Sequence, residues 1–363
     1  FATIAPLAEA AGVPVALLTG RDGQKQKRET LGGLADGSIK LVVGTHALVQ
    51  DDVEFDDLAL AVVDEQHRFG VTQRMALSSK SHAVDLLAMT ATPIPRTLML
   101  AGYGDLDVSK LTEKPAGRQP IDTRTIPLER VAEVVDAAGR MIKTGARVYW
   151  VCPLIEESED VDLANAEERF RLLSARFPGK VGLIHGRVKS AAREATMAAF
   201  SEGKLSILVA TTVIEVGVDV PAATVMIIEH AERFGLAQLH QLRGRVGRGT
   251  AKSTCLLLYA TPLGETAKAR LAIMRETEDG FRIAEEDLKL RGAGELLGTR
   301  QSGLPDMRLA DLAAHGDLLQ AARDDARLVI ERDPELKSER GAALRALLYL
   351  FRRDDAVRTL RAG

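Results

Sequence analysis

An arginine-rich loop offers the clearest chemistry in this sequence. In the stretch Gln241-Leu-Arg-Gly-Arg-Val-Gly-Arg248, which Gly249 follows, Arg245 and Arg248 alternate with glycines. Inside a helix each glycine costs about 1 kcal/mol relative to alanine, so this spacing favours a backbone that approaches another group closely. Guanidinium groups neutralise the charge that develops on a transferring phosphoryl group. We therefore predict that both arginines, together with Gln241, contact a nucleotide; the alternative is a solvated basic loop.

A second group of reactive residues follows the apolar run 58–63. It reads Asp64-Glu-Gln-His67, and the end of a buried strand is where open α/β sheets bind ligands. In a nucleotide site Asp64 would hold Mg²⁺, usually through water, and Glu65 would orient and deprotonate the attacking water. His67 could report the phosphate state to neighbouring loops. The alternative is a solvated acidic strand end.

Other predicted strand ends carry hydroxyl, small or basic side chains. Such groups suit the phosphates of a nucleic-acid backbone, although each alone could be an ordinary turn or helix cap. Among them, Asp219 can accept a hydrogen bond from a ribose hydroxyl, so it is placed with Gly217 at the nucleotide. The predicted nucleic-acid contacts are Gly44, Thr45, His46, His185, Arg187, Thr211 and Thr212. The hydroxyls of Thr90 and Thr92, at the end of the strand after 58–63, could instead hydrogen-bond the 64–67 group and link it to loops that face DNA.

Alternating apolar runs and helix-period segments surround these motifs over the first 260 residues. This pattern predicts parallel sheets covered by helices on both faces. Residues 111–120, with two prolines and a glycine, are predicted to be an interdomain linker. After Pro262 the pattern becomes charged and helical, with predicted breaks at 291–294 and 298–305 and further helices near 309–332 and 338–360.

Composition narrows the class of protein. With 46% hydrophobic and 27% charged residues, the chain of 363 residues is ordinary globular material, and its net charge of −3 leaves nucleic-acid binding to local basic patches. Cys152 and Cys255 lie in apolar runs without metal-ligand spacing and are expected to be buried, reduced thiols of a cytoplasmic protein. No apolar run is long enough to span a membrane. Because the first residue is Phe1, we expect the chain to begin within a longer protein or to have been trimmed.

The motifs together resemble those of superfamily 2 helicases and translocases. Asp64–His67, Met89–Thr97, Ala210–Pro221 and Gln241–Arg248 look like motifs II, III, V and VI of that superfamily. The residues within these motifs most resemble those of the RecG-type helicases and of the related transcription-repair coupling factors. Both carry a helical hairpin after the second motor lobe, and Phe281–Gly303 resembles it. Three stretches favour the RecG type: 103–109, 151–158 and 305–326.

The resemblance implies a division into three parts. Residues 1–115 would be a RecA-like lobe lacking its leading strand, residues 116–262 a second RecA-like lobe, and residues 263–363 the hairpin and a helical tail. Arg291, Arg300 and Gln301 would lie in the hairpin and push on duplex DNA. Arg248 would reach across a lobe interface to the γ-phosphate.

The resemblance also implies an activity. It is ATP- and Mg²⁺-dependent translocation on double-stranded DNA, which remodels stalled forks and Holliday junctions during recombination and repair. The expected protein is a bacterial, cytoplasmic and nucleoid-associated monomer, with branched DNA and single-strand-binding protein as partners and no membrane.

Two other hypotheses remain open from the sequence. One is a coupling-factor translocase, whose partner would be RNA polymerase; the other is a DNA-binding remnant without enzyme activity. The 363 residues contain no Gly-x4-Gly-Lys-Ser/Thr phosphate loop, and the wedge domain that precedes the motor in RecG-like proteins is not within them. We therefore expect residues 1–363 alone to hydrolyse ATP no faster than background, and to bind DNA weakly and with strong salt dependence.

Overall fold

The fold is described from a computed structural model. It describes residues 1–20, 22–65, 73, 76–77, 80–81, 83–91, 107–115, 117–153, 159–211, 220–298 and 315–351, without the side chains of 159–164, 291–298 and 316–317. The chain divides into two compact units. The first covers Phe1–Ala91, and the second comprises the described residues from 107 onward.

The first unit begins with a strand–helix–strand arrangement. Strands β1 and β2 are parallel, with Leu18 opposite Gly44. Leu18 is fully buried and packs with Leu34, Ala47 and Val53. The elements are α1 (Ile4–Ala10), β1 (Val15–Leu18), α2 (Gln24–Ala35), β2 (Leu41–Gly44) and a 3-10 helix (His46–Val49).

A second parallel pair in this unit joins β3 (Leu60–Val63) to β4 (Asp85–Ala88), with Val63 opposite Ala88. Ala61 and Val63 face a small core. The alternate positions Leu60 and Val62 are 56% and 54% exposed. The period-2 alternation of a strand therefore divides β3 into a packed face and a face that the described residues leave open.

The second unit contains a six-stranded sheet in the order β5-β10-β9-β6-β8-β7, in which every described pairing is parallel. Its central strands are apolar and buried along their length, as expected for a sheet with both faces covered. The strands are β5 (Ile121–Pro127), β6 (Arg147–Val151), β7 (Val181–Ile184), β8 (Ile207–Ala210), β9 (Ala223–Ile228) and β10 (Ser253–Tyr259).

Helices cover both faces of this sheet and form two cores. One core contains Tyr149 and Phe200, whose ring centroids are 5.0 Å apart, and the other contains Trp150. Tyr149 and Trp150 are adjacent in β6 and therefore point to opposite faces. The helices of this domain are α3 (Val131–Lys143), α4 (Glu159–Arg176), α5 (Ser190–Ser201) and α6 (Leu236–Arg243).

Among the described residues, four further helices follow the sheet: α7 (Glu265–Glu276), α8 (Gly280–Gly298), α9 (Gly316–Arg332) and α10 (Glu339–Leu350). The predicted break at 291–294 is wrong, since α8 continues to Gly298. The two glycines of that stretch lower helix propensity by about 2 kcal/mol in total, an amount that context routinely overrides. The second predicted break, at 298–305, falls largely outside the described residues.

The α/β fold with parallel sheets is confirmed, and the apolar run 58–63 contains β3. Both cysteines are buried free thiols, and burial raises the pKa of Cys255 to about 12. Within the described part of the chain, no helix has the length and apolar character needed to cross a membrane.

A buried ion pair links α4 to the sheet. Glu229, just after β9, accepts hydrogen bonds from the Trp150 indole and from Arg169, whose guanidinium also lies 5.5 Å from the Trp150 ring centroid. The side chains of Arg169 and Glu229 are only 17% and 9% exposed, respectively. Each charge is therefore stable at this position only while its partner remains.

We predict that Arg169→Ala destabilises the second unit by about 3–5 kcal/mol, because it leaves the Glu229 carboxylate buried and unpaired. Arg169→Met with Glu229→Gln should restore most of that loss, since no unpaired charge remains. Chemical denaturation checks both variants. Arg176→Ala, which breaks an exposed pair with Asp136, is the control and should have little effect. Equal destabilisation by Arg169→Ala and Arg176→Ala would contradict the prediction.

Candidate functional site

Asp64 and Glu65 lie directly after β3, at its carboxyl end, as predicted. Asp64 is exposed, and its Oδ1 accepts a hydrogen bond of 2.8 Å from the Glu65 backbone N–H. Glu65 has a φ of 52°, a left-handed conformation that is uncommon for residues other than glycine. Such strained backbone concentrates at functional sites. His67 lies outside the described residues.

Thr90 shares this edge of the sheet with the two carboxylates. Val63 is opposite Ala88, and the Met89 N–H donates to the Val63 carbonyl at 2.8 Å, so β3 and β4 end side by side. Thr90 is half-buried there. The proximity predicted for these strand ends is therefore present, while Thr92 lies outside the described residues.

The turn Gly44-Thr-His46 has a structural role as well as a candidate functional one. A Cβ on Gly44 would lie 2.3 Å from the Leu18 carbonyl oxygen, so packing of β1 on β2 already requires glycine. Thr45 donates its N–H to that same carbonyl at 3.3 Å. The side chains of Thr45 and His46 are exposed and remain candidates for a phosphate contact.

The arginine loop begins where α6 ends. Leu236, Leu239 and Leu242 anchor α6 in the core, and Gly244 is its C-cap. Arg245 and Arg248 are half-buried, and Arg248 Nε donates to the Gly244 carbonyl at 3.3 Å. The structure thus holds the two arginines on one short loop, as predicted.

Gly247 explains the tight course of this loop. Its φ is 74°, and a Cβ there would lie 2.9 Å from Cγ1 of Ile121 at the start of β5. Both the left-handed backbone and the close approach exclude larger residues. The loop between Arg245 and Arg248 is therefore pressed against β5.

The carboxyl ends of β7 and β8 bring His185 next to Thr211. Thr211 is fully buried, and its N–H donates to the Ile184 carbonyl at 3.3 Å. Neither Thr211 Oγ1 nor His185 Nδ1 has a hydrogen-bond partner among the described residues. Buried polar atoms without partners are uncommon and point to a ligand or water. Arg187 is exposed nearby in sequence; Thr212, Gly217 and Asp219 lie outside the described residues.

Of the predicted hairpin residues, only Arg291 falls on a described element, since its backbone belongs to α8. Its side chain, Arg300 and Gln301 lie outside the described part of the structure.

The sequence interpretation missed Arg243, although it belongs to the arginine motif. Arg243 is 2% exposed, and its Nη1 donates at 2.9 Å to the carbonyls of both Met274 and Thr277. It lies four residues after Leu239 and seven after Leu236, so it extends the buried stripe of α6. That spacing was the available signal that this arginine, unlike Arg245 and Arg248, points inward.

His240 accompanies Arg243. Burial, followed by the charges of Arg243 and Lys114, lowers the pKa of His240 to about 4, so the imidazole is neutral near pH 7. Its Nδ1 lies 3.2 Å from Arg243 Nη2. Because a guanidinium only donates, Nδ1 must accept, and the remaining proton is on Nε2.

Three parts of the chain match known helicase families. Residues 1–100 match the DEAD/DEAH box helicase family, residues 129–250 the helicase conserved C-terminal domain, and residues 277–356 the C-terminal part of domain 3 of ATP-dependent DNA helicase RecG. The chain is 52% identical over 328 residues to the RecG helicase of Acidithiobacillus ferridurans, covering 90% of this chain and 48% of that protein. Over nine tenths of its length, this chain is homologous to RecG helicases.

Other RecG helicases show the same homology. The RecG helicase of Synechocystis sp. is 51% identical over 328 residues, covering 90% of this chain and 39% of that protein. A structure of RecG bound to a three-way DNA junction has a TM-score of 0.65 and 43% identity, covering 88% of this chain and 41% of the other. The chain thus spans about half the length of the RecG proteins it matches, or less.

The neutral state of His240 predicts that the stability of this chain depends on pH. In the unfolded chain His240 has a pKa near 6.5, whereas in the folded chain its pKa is about 4. Between these two pH values the unfolded chain therefore binds a proton at His240 that the folded chain does not bind. Stability should therefore fall as pH decreases from about 6.5 to 4, by roughly 3 kcal/mol at most. His240→Gln, whose amide oxygen can still accept from Arg243, should flatten this dependence.

Thermal unfolding midpoints between pH 4 and 7.5 provide the measurement. His315→Gln, a change at an exposed histidine, is the matched control and should leave the pH dependence intact. An unchanged slope in His240→Gln would show that other groups cause it.

Proposed function

We propose that this chain is part of an ATP-dependent double-stranded DNA translocase that remodels branched DNA. The observation that carries the proposal is the identity of 52% over 90% of the chain to a RecG helicase, with the arginine motif intact and held on a constrained loop. A related RecG has been solved on a three-way DNA junction, which supports forks and Holliday junctions as substrates. The match of residues 277–356 to RecG domain 3 favours this function over that of a coupling factor.

The acidic pair suits the hydrolytic step. Asp64 presents an exposed carboxylate at a strand end, and Mg²⁺ in nucleotide sites takes one or two protein carboxylates together with phosphate and water. One carboxylate here fits that donor set, and the described residues contain no cluster of three or more metal-binding side chains. When bound, Mg²⁺ would neutralise phosphate charge. Glu65 would orient the water and accept its proton, and its constrained backbone would limit the orientations of the carboxylate.

The arginine loop suits transition-state stabilisation. Arg248 and Arg245 would donate to the phosphate oxygens whose charge grows during transfer, and Gln241, in the last turn of α6, would contact the nucleotide. Because Gly247 fixes the loop against Ile121, little reorganisation is required when the phosphate is present. Gly217 and Asp219 are proposed as further nucleotide contacts.

Strand-end residues are proposed to contact DNA phosphates. Thr45 and His46 form one exposed group. A second group combines exposed Arg187 with half-buried His185 and buried Thr211. Thr90, Thr92 and Thr212 would relate these contacts to the hydrolytic residues, and Arg291, Arg300 and Gln301 would act on the duplex from the C-terminal hairpin. The corresponding division is a first lobe at 1–115, a second at 116–262 and a hairpin with tail at 263–363. We further propose a monomer that acts at the nucleoid with single-strand-binding protein.

The role of Arg248 predicts a selective loss. In the intact protein, Arg248→Ala should reduce DNA-stimulated ATP hydrolysis by about 10³-fold, since arginine fingers contribute about 10³–10⁵ in related phosphoryl transfers. Fork binding, measured by fluorescence anisotropy, should change little. Arg124→Ala, at an exposed arginine paired with Asp122 in β5, is the control. Normal hydrolysis in Arg248→Ala would remove this arginine from the proposed role.

The unpartnered hydroxyl of Thr211 gives a second test. If Oγ1 donates to a DNA phosphate, Thr211→Val should weaken fork binding by about three- to tenfold, the value of one hydrogen bond. Because the described residues offer Oγ1 no partner, thermal stability should not decrease. Thr211→Ser keeps the hydroxyl and should retain affinity. Unchanged binding by Thr211→Val would assign the hydroxyl to another role.

A further inference from the structure

The turn between α7 and α8, formed by Thr277, Glu278 and Asp279, collects contacts from three separate parts of the second unit. Arg243 of α6 donates to the Thr277 carbonyl at 2.9 Å. Glu278 accepts hydrogen bonds from the Ile121 N–H at the start of β5 and from Lys114 of the linker segment. We refer to these three residues as the junction turn.

The Arg243 contact fixes α6 relative to α7. Met274 lies in the last turn of α7, where carbonyls lack helical partners and carry the negative end of the helix dipole. One terminal nitrogen of Arg243, Nη1, donates hydrogen bonds to the carbonyls of both Met274 and Thr277, and the other, Nη2, faces His240. A lysine has a single nitrogen and could not reproduce this planar set of donors.

The Glu278 contact fixes the other side of the arginine loop. Its carboxylate accepts from the backbone of Ile121, and Ile121 is the residue against which Gly247 packs. The segment 244–249 is therefore bracketed: Arg243 ties its first end to the junction turn, and Ile121 ties its middle to the same turn.

The junction turn also determines where α8 begins. Asp279 Oδ1 accepts from the Phe281 N–H at 2.9 Å, and Thr277 Oγ1 accepts from the Asp279 N–H at 3.0 Å. Lys110, directly before the linker segment 111–120, lies with its Nζ 5.1 Å from the Phe281 ring centroid. A displacement of the turn would therefore move the first turn of α8, and through it the whole helix.

We propose that Arg243 and Glu278 are positioning residues that couple the arginine loop and the linker segment to helix α8. This inference rests on the proposed function: it requires that Arg245 and Arg248 respond to nucleotide and that α8 leads to groups that act on DNA. This role requires neither residue to contact nucleotide or DNA. They transmit the position of the loop through the junction turn.

The test compares ATP turnover with fork unwinding in the intact protein. Arg243→Lys and Glu278→Gln both keep a polar side chain but remove part of the hydrogen bonding and charge that hold the junction turn. Each should lower the number of base pairs unwound per ATP by roughly three- to thirtyfold, the range expected for residues that carry coupling. DNA-stimulated ATP turnover should stay within about threefold of normal. The double variant should lose no more than the worse single variant, because both act through one turn.

Glu276→Gln is the matched control. Glu276 lies two residues from Glu278, is exposed, and pairs with Arg282 at 3.0 Å. Its change should leave unwinding per ATP intact, since it is not bonded to the loop or to the linker segment.

Hydrogen–deuterium exchange supplies a second readout that needs no turnover. In the unchanged protein, ADP with beryllium fluoride should alter exchange in both 241–249 and 280–298. In Arg243→Lys and Glu278→Gln, the change in 241–249 should persist and the change in 280–298 should be lost. Parallel loss of unwinding, turnover and thermal stability, or exchange changes that persist in 280–298, would overturn the coupling role alone. Absence of DNA-stimulated turnover in the unchanged protein would overturn the proposed function as well.

Discussion

Parallel strand pairing is the constraint on which the candidate site depends. In a parallel pair both carboxyl ends lie at one edge, so residues that directly follow two paired strands are brought together whatever their separation in sequence. Leu18 pairs with Gly44, Val63 with Ala88 and Ile184 with Ala210. Each pairing places polar residues at a shared edge within its own unit. The chemistry proposed for these residues depends first on this placement of the strand ends, and only then on the orientation of individual side chains.

The sequence was sufficient for the strands and for most residues at their ends, because apolar runs and strand ends are local signals. It was insufficient for Arg243, His240 and Glu278. Arg243 forms hydrogen bonds with residues 31 and 34 positions later in the chain, and Glu278 forms one with Ile121, at a separation of 157 residues. Such partners depend on how helices pack on the sheet, which no local pattern encodes. The error at 291–294 has the reverse origin, since a local glycine signal was outweighed by its context.

Two glycines in candidate motifs show that one residue type can have different causes. Gly44 has an ordinary backbone conformation, and it is required because a Cβ would meet the Leu18 carbonyl; this explains the glycine without any ligand. Gly247 has a positive φ and also contacts Ile121, so it determines the course of the loop that carries Arg245 and Arg248. Only the second glycine therefore bears directly on the proposed chemistry, although both belong to motif-like stretches.

A buried guanidinium is an unusual solution if stability alone is required. Replacing buried ionic groups by apolar ones of similar volume is often neutral or stabilising, so a methionine at position 243 could fill the same space. Apolar packing is not directional, however, and would allow α6 to shift against α7. Arg243 instead directs its donors at two defined carbonyls, while neutral His240 accepts from a third direction. The burial of this arginine is thus better explained by the need for one fixed orientation of the arginine loop than by the free energy of folding.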